Sequence, residues 1–139
     1  MATTFQLDIV TPSKVEWSGM VNMVIVPGTA GEFGILPGHA AIVSSIETGM
    51  ITVKIEGREK EVHIATRGGF TEVLDNKMVV LAETAELPEE IDVERAERAL
   101  RRAEERLANH GTHNIDYIRA EAALKRALLR LRLSKERLM

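Results

Sequence analysis

The chain has 139 residues, 18 Lys+Arg against 21 Asp+Glu, a net charge of −3 and no cysteine. That length holds one ordinary domain or a small domain with an accessory piece, and the missing thiols exclude a disulfide framework, thiolate metal sites and a cysteine nucleophile. Apolar residues at 45% and charged residues at 28% exclude a disordered chain, and 4% aromatics leaves the core to Val, Ile, Leu, Met and Ala.

The opening MATTFQLDIV has no basic region followed by an apolar core, and nowhere do 18 apolar residues run together. Neither a secretory signal nor a membrane span is expected. Phe5, Leu7 and Ile9 alternate with Gln6 and Asp8 as a first strand closed by Thr11-Pro12. Val21 to Val26, apolar but for Asn22, runs to Pro27-Gly28 and predicts a strand buried on both faces. Ile51, Val53 and Ile55 alternate with Thr52, Lys54 and Glu56, and a turn at Gly57-Arg58 returns into Val62 and Ile64. Phe70–Leu74 and Met78–Ala82 flank Asp75-Asn76-Lys77, which reads as a tight hairpin. Short strands at about ten-residue spacing predict a sandwich or small barrel.

At Glu86-Leu87-Pro88 the pattern changes. Asp92 is a plausible N-cap, and Ala96, Leu100, Ala103 and Leu107 follow at spacings of four, three and four. Gly111 suits a helix stop, with Thr112 or Asn114 capping the next helix. Ala120, Leu124, Ala127 and Leu131 repeat the spacing, and two such stripes specify an antiparallel helical hairpin. Leu128, Leu129 and Leu133 lie partly off the second stripe, to pack on the strands or to form a patch for a partner. The fold expected is α+β: an N-terminal antiparallel β-sandwich over 1–86, then a C-terminal antiparallel α-helical hairpin over 87–139.

Charge divides at the same place. Residues 1–86 carry 6 Lys+Arg against 11 Asp+Glu, a balance of −5; residues 87–139 carry 12 against 10, or +2. Arg119 to Arg137 holds 7 basic and 2 acidic residues, +5, which is either a solvated helix face or a docking surface for something acidic. Gly28, Gly31 and Gly34 lack the Lys-Ser/Thr of a phosphate loop and read as turn glycines. His110 and His113, spaced HxxH, have no cysteine or acidic cluster beside them, so no metal site is expected. No serine sits in a nucleophile elbow and no carboxylate pair stands out, so no catalytic residue is expected and the chain reads as a non-enzyme. A net acidic chain with few aromatics also argues against nucleic acid as partner.

The stretch Gly31 to Ala40, GEFGILPGHA, resembles the N-terminal domain of the epsilon subunit of F-type ATP synthases. So do FQLDIVTPSKVEWSG, ETGMITV, TRGGFTEV, VVLAETAE and IDVERA, in order, and the resemblance covers essentially all 139 residues. It implies a ten-stranded sandwich with a helical hairpin, placed in the central rotor stalk with the gamma subunit and the c-ring as partners. Glu32, Gly34 and His39 would contact c-ring or gamma.

The resemblance further implies a hairpin that either folds on the sandwich or extends toward the alpha and beta subunits of the catalytic head, blocking ATP hydrolysis. Arg126, Arg130, Arg132 and Lys135 would carry that inhibitory contact. One ion pair at 4 Å is worth about 4 kcal/mol before desolvation at an effective dielectric near 20. IDVERA matches a motif with which some bacterial members bind ATP. By position, Glu86, Ile91, Asp92, Arg95 and Ala96 would form one wall, and Arg102, Arg119, Arg126 and Arg130 would reach base, ribose and phosphates. In the other reading Asp92 only caps a helix and the arginines are solvated or inhibitory. No cofactor is required, with regulatory ATP, with or without Mg, as the one ligand implied. The expected place is peripheral, at the cytoplasmic face of a bacterial cell membrane, serving a proton- or sodium-translocating enzyme. The alternative is a β-sandwich adaptor with a helical partner-binding tail.

Overall fold

In the computed structural model, residues 3–108 and 114–135 are described, and the period-two pattern before Glu86 becomes ten strands. These are β1 (Phe5–Val10), β2 (Val15–Val21), β3 (Met23–Gly28), β4 (Gly31–Ile35), β5 (Ile42–Ile46), β6 (Gly49–Lys54), β7 (Val62–Thr66), β8 (Gly69–Leu74), β9 (Lys77–Ala82) and β10 (Ala85–Glu86). They hydrogen-bond in the order β10-β7-β6-β3-β5-β8-β9-β1-β2, with β4 attached to β3. Every pairing is antiparallel except that of β1 with β9, whose parallel register sets Leu7 beside Met78 and Ile9 beside Val80. All four side chains are buried, together with Phe5, Val24, Val26, Ile35, Ile51, Val53, Ile64 and Val73. One parity of each strand thus fills a core of branched aliphatic residues, as the composition requires.

Two expectations need correction. The run from Val21 to Val26 is not one strand buried on both faces: Val21 ends β2, Asn22 turns the chain, and β3 starts at Met23. Along β3 only Val24, Val26 and Gly28 are buried, whereas Met23, Ile25 and Pro27 are half-buried. The Asn22 amide sits at the break and holds it to neighbouring segments: its Nδ2 donates to Thr3 O at 3.0 Å, and its Oδ1 accepts the Glu56 N–H. The second correction is in the β8–β9 hairpin. Its turn is Asp75-Asn76 alone, both at positive φ (49° and 61°), with Lys77 already paired to Leu74 as the first residue of β9. Two left-handed residues match the twist of the flanking strands, and Asn and Asp tolerate that region. Gly69, at φ +144°, has no such freedom to vary, because a Cβ there would collide with the carbonyl oxygen of Leu81.

The chain divides into two compact units, Met1–Glu86 and Leu87–Met139. In the second, a 3₁₀ turn at Pro88–Glu90 leads to α1 (Val93–Ala108) and α2 (Asn114–Ser134). Asp92 caps α1: its Oδ1 accepts the Arg95 N–H at 3.1 Å, and its carbonyl accepts the Ala96 N–H at 3.0 Å. The helices pack on each other with Ala96, Ala103, Ala120 and Ala127 buried and Leu100, Leu107, Leu124 and Leu131 half-buried. Small residues at the crossing let the backbones approach. The three extra leucines of α2 divide: Leu133 is buried, Leu129 half-buried and Leu128 exposed. The loop signals Gly111 and Thr112, with His110 and His113, lie outside the described residues.

Candidate functional site

The residues expected at a nucleotide site are differently placed. Glu86 ends β10, half-buried and paired with Ala65 of β7. Ile91 and Ala96 are buried, Ala96 on the face where α1 meets α2. Asp92 is exposed and commits one carboxylate oxygen to the helix cap. On α2, Arg119, Arg126 and Arg130 lie within one flank of the helix by their spacing of seven and four. Arg119 is exposed, whereas Arg126 and Arg130 are half-buried and engaged with other groups. Arg132 and Lys135 are exposed and lie on the other flank by the 100° step per residue, so the four basic residues expected to inhibit do not form one stripe.

Arg95 and Arg102 are exposed and line an open concavity of 570 Å³ together with Arg98, Arg101 and Glu105. All five are α1 residues. Arg98 Nη1 lies 4.0 Å from Glu94 Oε2, an exposed pair of the kind that contributes under about 1 kcal/mol. Sequence reading passed over Arg98 and Arg101; their spacing with Arg95 and Arg102, opposite the Ala96/Ala103 stripe, was the available signal.

In the sandwich, Glu32 and Gly34 are exposed on one face of β4, opposite Pro27 and Ile25 of β3. His39 follows in a turn whose shape is fixed by backbone bonds: its N–H donates to Leu36 O at 3.1 Å, and the Gly38 N–H donates to Asn76 Oδ1 at 2.9 Å. Asn76 Nδ2 in turn donates to Thr4 O at 2.9 Å, so the β4–β5 connection is tied to the β8–β9 hairpin.

A second feature of this unit was missed from sequence. Pairing registers across β5, β8, β9, β1 and β2 align Ser45, Phe70, Leu81, Val10 and Val15 in one outward row. Phe70, Leu81 and Val15 are 58%, 56% and 60% exposed, and Val43 beside them is 70% exposed. The adjacent row is Val43, Glu72, Val79, Asp8 and Ser18. Here Ser18 Oγ donates to Asp8 Oδ1 at 2.6 Å, Gln6 Nε2 donates to the same oxygen at 2.9 Å, and Lys77 Nζ lies 3.7 Å from Oδ2. The Ser18 hydrogen bond first, then that of Gln6, holds the Asp8 carboxyl below the usual range. The signal in the sequence was the unbroken apolar run from Met78 to Ala82, where two faces of one strand are apolar. Among the described residues no group of three His, Cys, Asp or Glu could hold a metal, and no helix is long and apolar enough to cross a membrane.

The chain is thus a strand-rich unit with an apolar outer row followed by a two-helix unit of net positive charge. Two family models match it in series: the beta-sandwich domain of the ATP synthase delta/epsilon chain over residues 4–88, and its long alpha-helix domain over 89–135. The chain belongs to the ATP synthase delta/epsilon family. It is 47% identical over 132 residues to the ATP synthase epsilon chain of Desulforamulus reducens, covering 95% of this chain and 98% of that one. Against the epsilon chain of Geobacter sulfurreducens it is 44% identical over 134 residues, 96% of each chain. Its fold matches a chain of the mitochondrial ATP synthase of Euglena gracilis with a TM-score of 0.77 at 23% identity, covering 100% of this chain and 84% of that one.

Proposed function

We propose that this chain is a non-catalytic subunit of the rotor stalk of a bacterial F-type ATP synthase. Its sandwich binds the gamma subunit and the c-ring, and its helical unit restrains ATP hydrolysis at the alpha and beta subunits. The carrying observation is the outward apolar row of Phe70, Leu81, Val10 and Val15, a surface that a partner must cover to remove it from water. The family match across residues 4–135 supports this reading over an unrelated adaptor. Relatives named epsilon chains and a solved structure whose title gives the Tetrahymena thermophila central stalk and c-ring (TM-score 0.53, 15% identity) point the same way. Coupling of proton or sodium flow to synthesis, and a peripheral position on the cytoplasmic face of the membrane, follow from that assignment. Regulatory ATP would bind through Glu86, Ile91, Asp92, Arg95 and Ala96 on one wall with Arg102, Arg119, Arg126 and Arg130; calorimetry with MgATP on the isolated chain decides this, and absence of heat at millimolar ligand removes it.

The stalk assignment is tested at the apolar row. Phe70→Asp with Leu81→Asp changes two exposed side chains, so the unit is expected to fold while losing copurification with gamma. Retention of the double variant in the assembled enzyme would move the interface elsewhere.

A further inference from the structure

We propose that Asn76 is the positioning residue for the turn that presents His39, and that its side-chain amide sets how firmly the chain grips the c-ring. The inference rests on the reading in which the sandwich meets that partner through Glu32, Gly34 and His39. Residues 36–41 join β4, which pairs with β3, to β5, which pairs along its length with β8, so no ladder runs directly across the connection. Within it the His39 N–H donates to Leu36 O at 3.1 Å and closes a turn around Pro37 and Gly38. Gly38 takes φ +77°, and a Cβ there would meet nothing within 4 Å, so the tip of the turn stands clear of its surroundings. His39 Nδ1 lies 2.7 Å from Ala40 O. A carbonyl oxygen only accepts, so Nδ1 donates, and the backbone of this turn orients the ring. Among the described residues, the bond from the Gly38 N–H to Asn76 Oδ1 is the one side-chain hydrogen bond that ties residues 36–40 to another segment.

Asn76 is held at its other end as well. Its Nδ2 donates to Thr4 O at 2.9 Å, and its own carbonyl accepts the Gln6 N–H at 3.4 Å. Gln6 belongs to β1, which is laddered on one side to β2 and on the other to β9. The amide is therefore anchored to the sheet and passes that fixed position on to the turn. An asparagine amide carries a donor and an acceptor on one short branch, and this site uses both. Glycine would leave Gly38 and Thr4 to water, and aspartate would keep the acceptor while losing the donor. The hairpin itself does not need these bonds, because asparagine and glycine both adopt the left-handed conformation found here at φ 61°. A turn already ordered in the free chain loses less conformational freedom on docking, so the latch acts on affinity for the partner rather than on the fold.

The test compares Asn76→Gly with Asp75→Gly, which alters the same two-residue turn without touching the bond to Gly38. Solvent exchange of the Gly38 amide, followed by NMR on the full chain, is expected to speed about five- to tenfold in Asn76→Gly and to stay unchanged in Asp75→Gly. Unchanged exchange along the β8–β9 ladder establishes that the sandwich is folded. Binding is then measured to enzyme depleted of this subunit, once with the c-ring and once without it. Asn76→Gly is expected to lose about five- to tenfold in affinity for the form with the c-ring and to match wild type on the other. Asn76→Asp is expected to fall between the two, whereas a general loss of stability would lower both affinities alike. Glu32→Ala with His39→Ala is measured in parallel. If that pair weakens binding to the c-ring form while Asn76→Gly binds as wild type, the latch is overturned and the contact stands. If the pair itself binds as wild type, the contact reading falls and the latch with it. Equal losses with and without the c-ring, or an unchanged Gly38 exchange rate in Asn76→Gly, overturn the proposal too.

Discussion

Asp8 sits on the outward face of β1, where its carboxylate accepts hydrogen bonds from Ser18 and Gln6 and faces the Lys77 ammonium. These groups favour the ionised form, so the folded-state pKa lies below the ordinary value near 4. A depressed pKa means that the stabilisation is fully present above about pH 4 and is lost as pH falls through the lower folded value. Asp8→Asn keeps the shape and removes the titration. Its urea stability is therefore expected to fall less than wild type between pH 5 and pH 3, by under about 1 kcal/mol given the partial exposure. Parallel pH profiles for the two proteins would refute this role. Only Gln6 of these partners lies within FQLDIV: Ser18 is brought by the β1–β2 register and Lys77 by the parallel β1–β9 pairing. The Asp92 cap, by contrast, was legible, because a cap bonds only to its own first turn.

The helical unit depends on small side chains at its crossing. Ala103 is 1% exposed between α1 and α2, so Ala103→Leu inserts three carbons where no space exists. Overpacking of this kind costs about 1–3 kcal/mol, whereas Ala122→Leu, at an exposed position of the same unit, is expected to stay within about 0.5 kcal/mol. Thermal unfolding followed at 222 nm separates the two; equal stability would mean that the helices meet through other residues. Both stripes could be read from spacing because a helix face repeats within a dozen residues. β2 and β4 were harder, since VEWSGMV and GEFGI carry glycines and only broken alternation. Their strand state comes from partners, β1 and β3, already in register. The outer apolar row was invisible for the same reason: five strands contribute about one residue each, and only the pairing assembles them. The cationic face of α1 is legible from the spacing of Arg95, Arg98, Arg101 and Arg102, because a helix face repeats locally.

Each ladder of the ten strands closes within residues 5–86, which also hold the buried strand residues from Phe5 to Ala85. The helical unit has its own buried alanines and its own cap. Under the proposed stalk role, the two compact units divide the work: the sandwich would hold a partner through its apolar face and the helical unit would offer charge. Truncation at Glu86 therefore is expected to leave a cooperatively folding sandwich that copurifies with gamma. If the helical unit restrains hydrolysis, ATPase activity of the reassembled enzyme rises at the same time, while that of an enzyme carrying Arg98→Ala and Arg101→Ala tracks the full chain. A truncated chain that fails to fold would show that the strands need the helices. One that folds but cannot join gamma would place part of the stalk interface in residues 87–139.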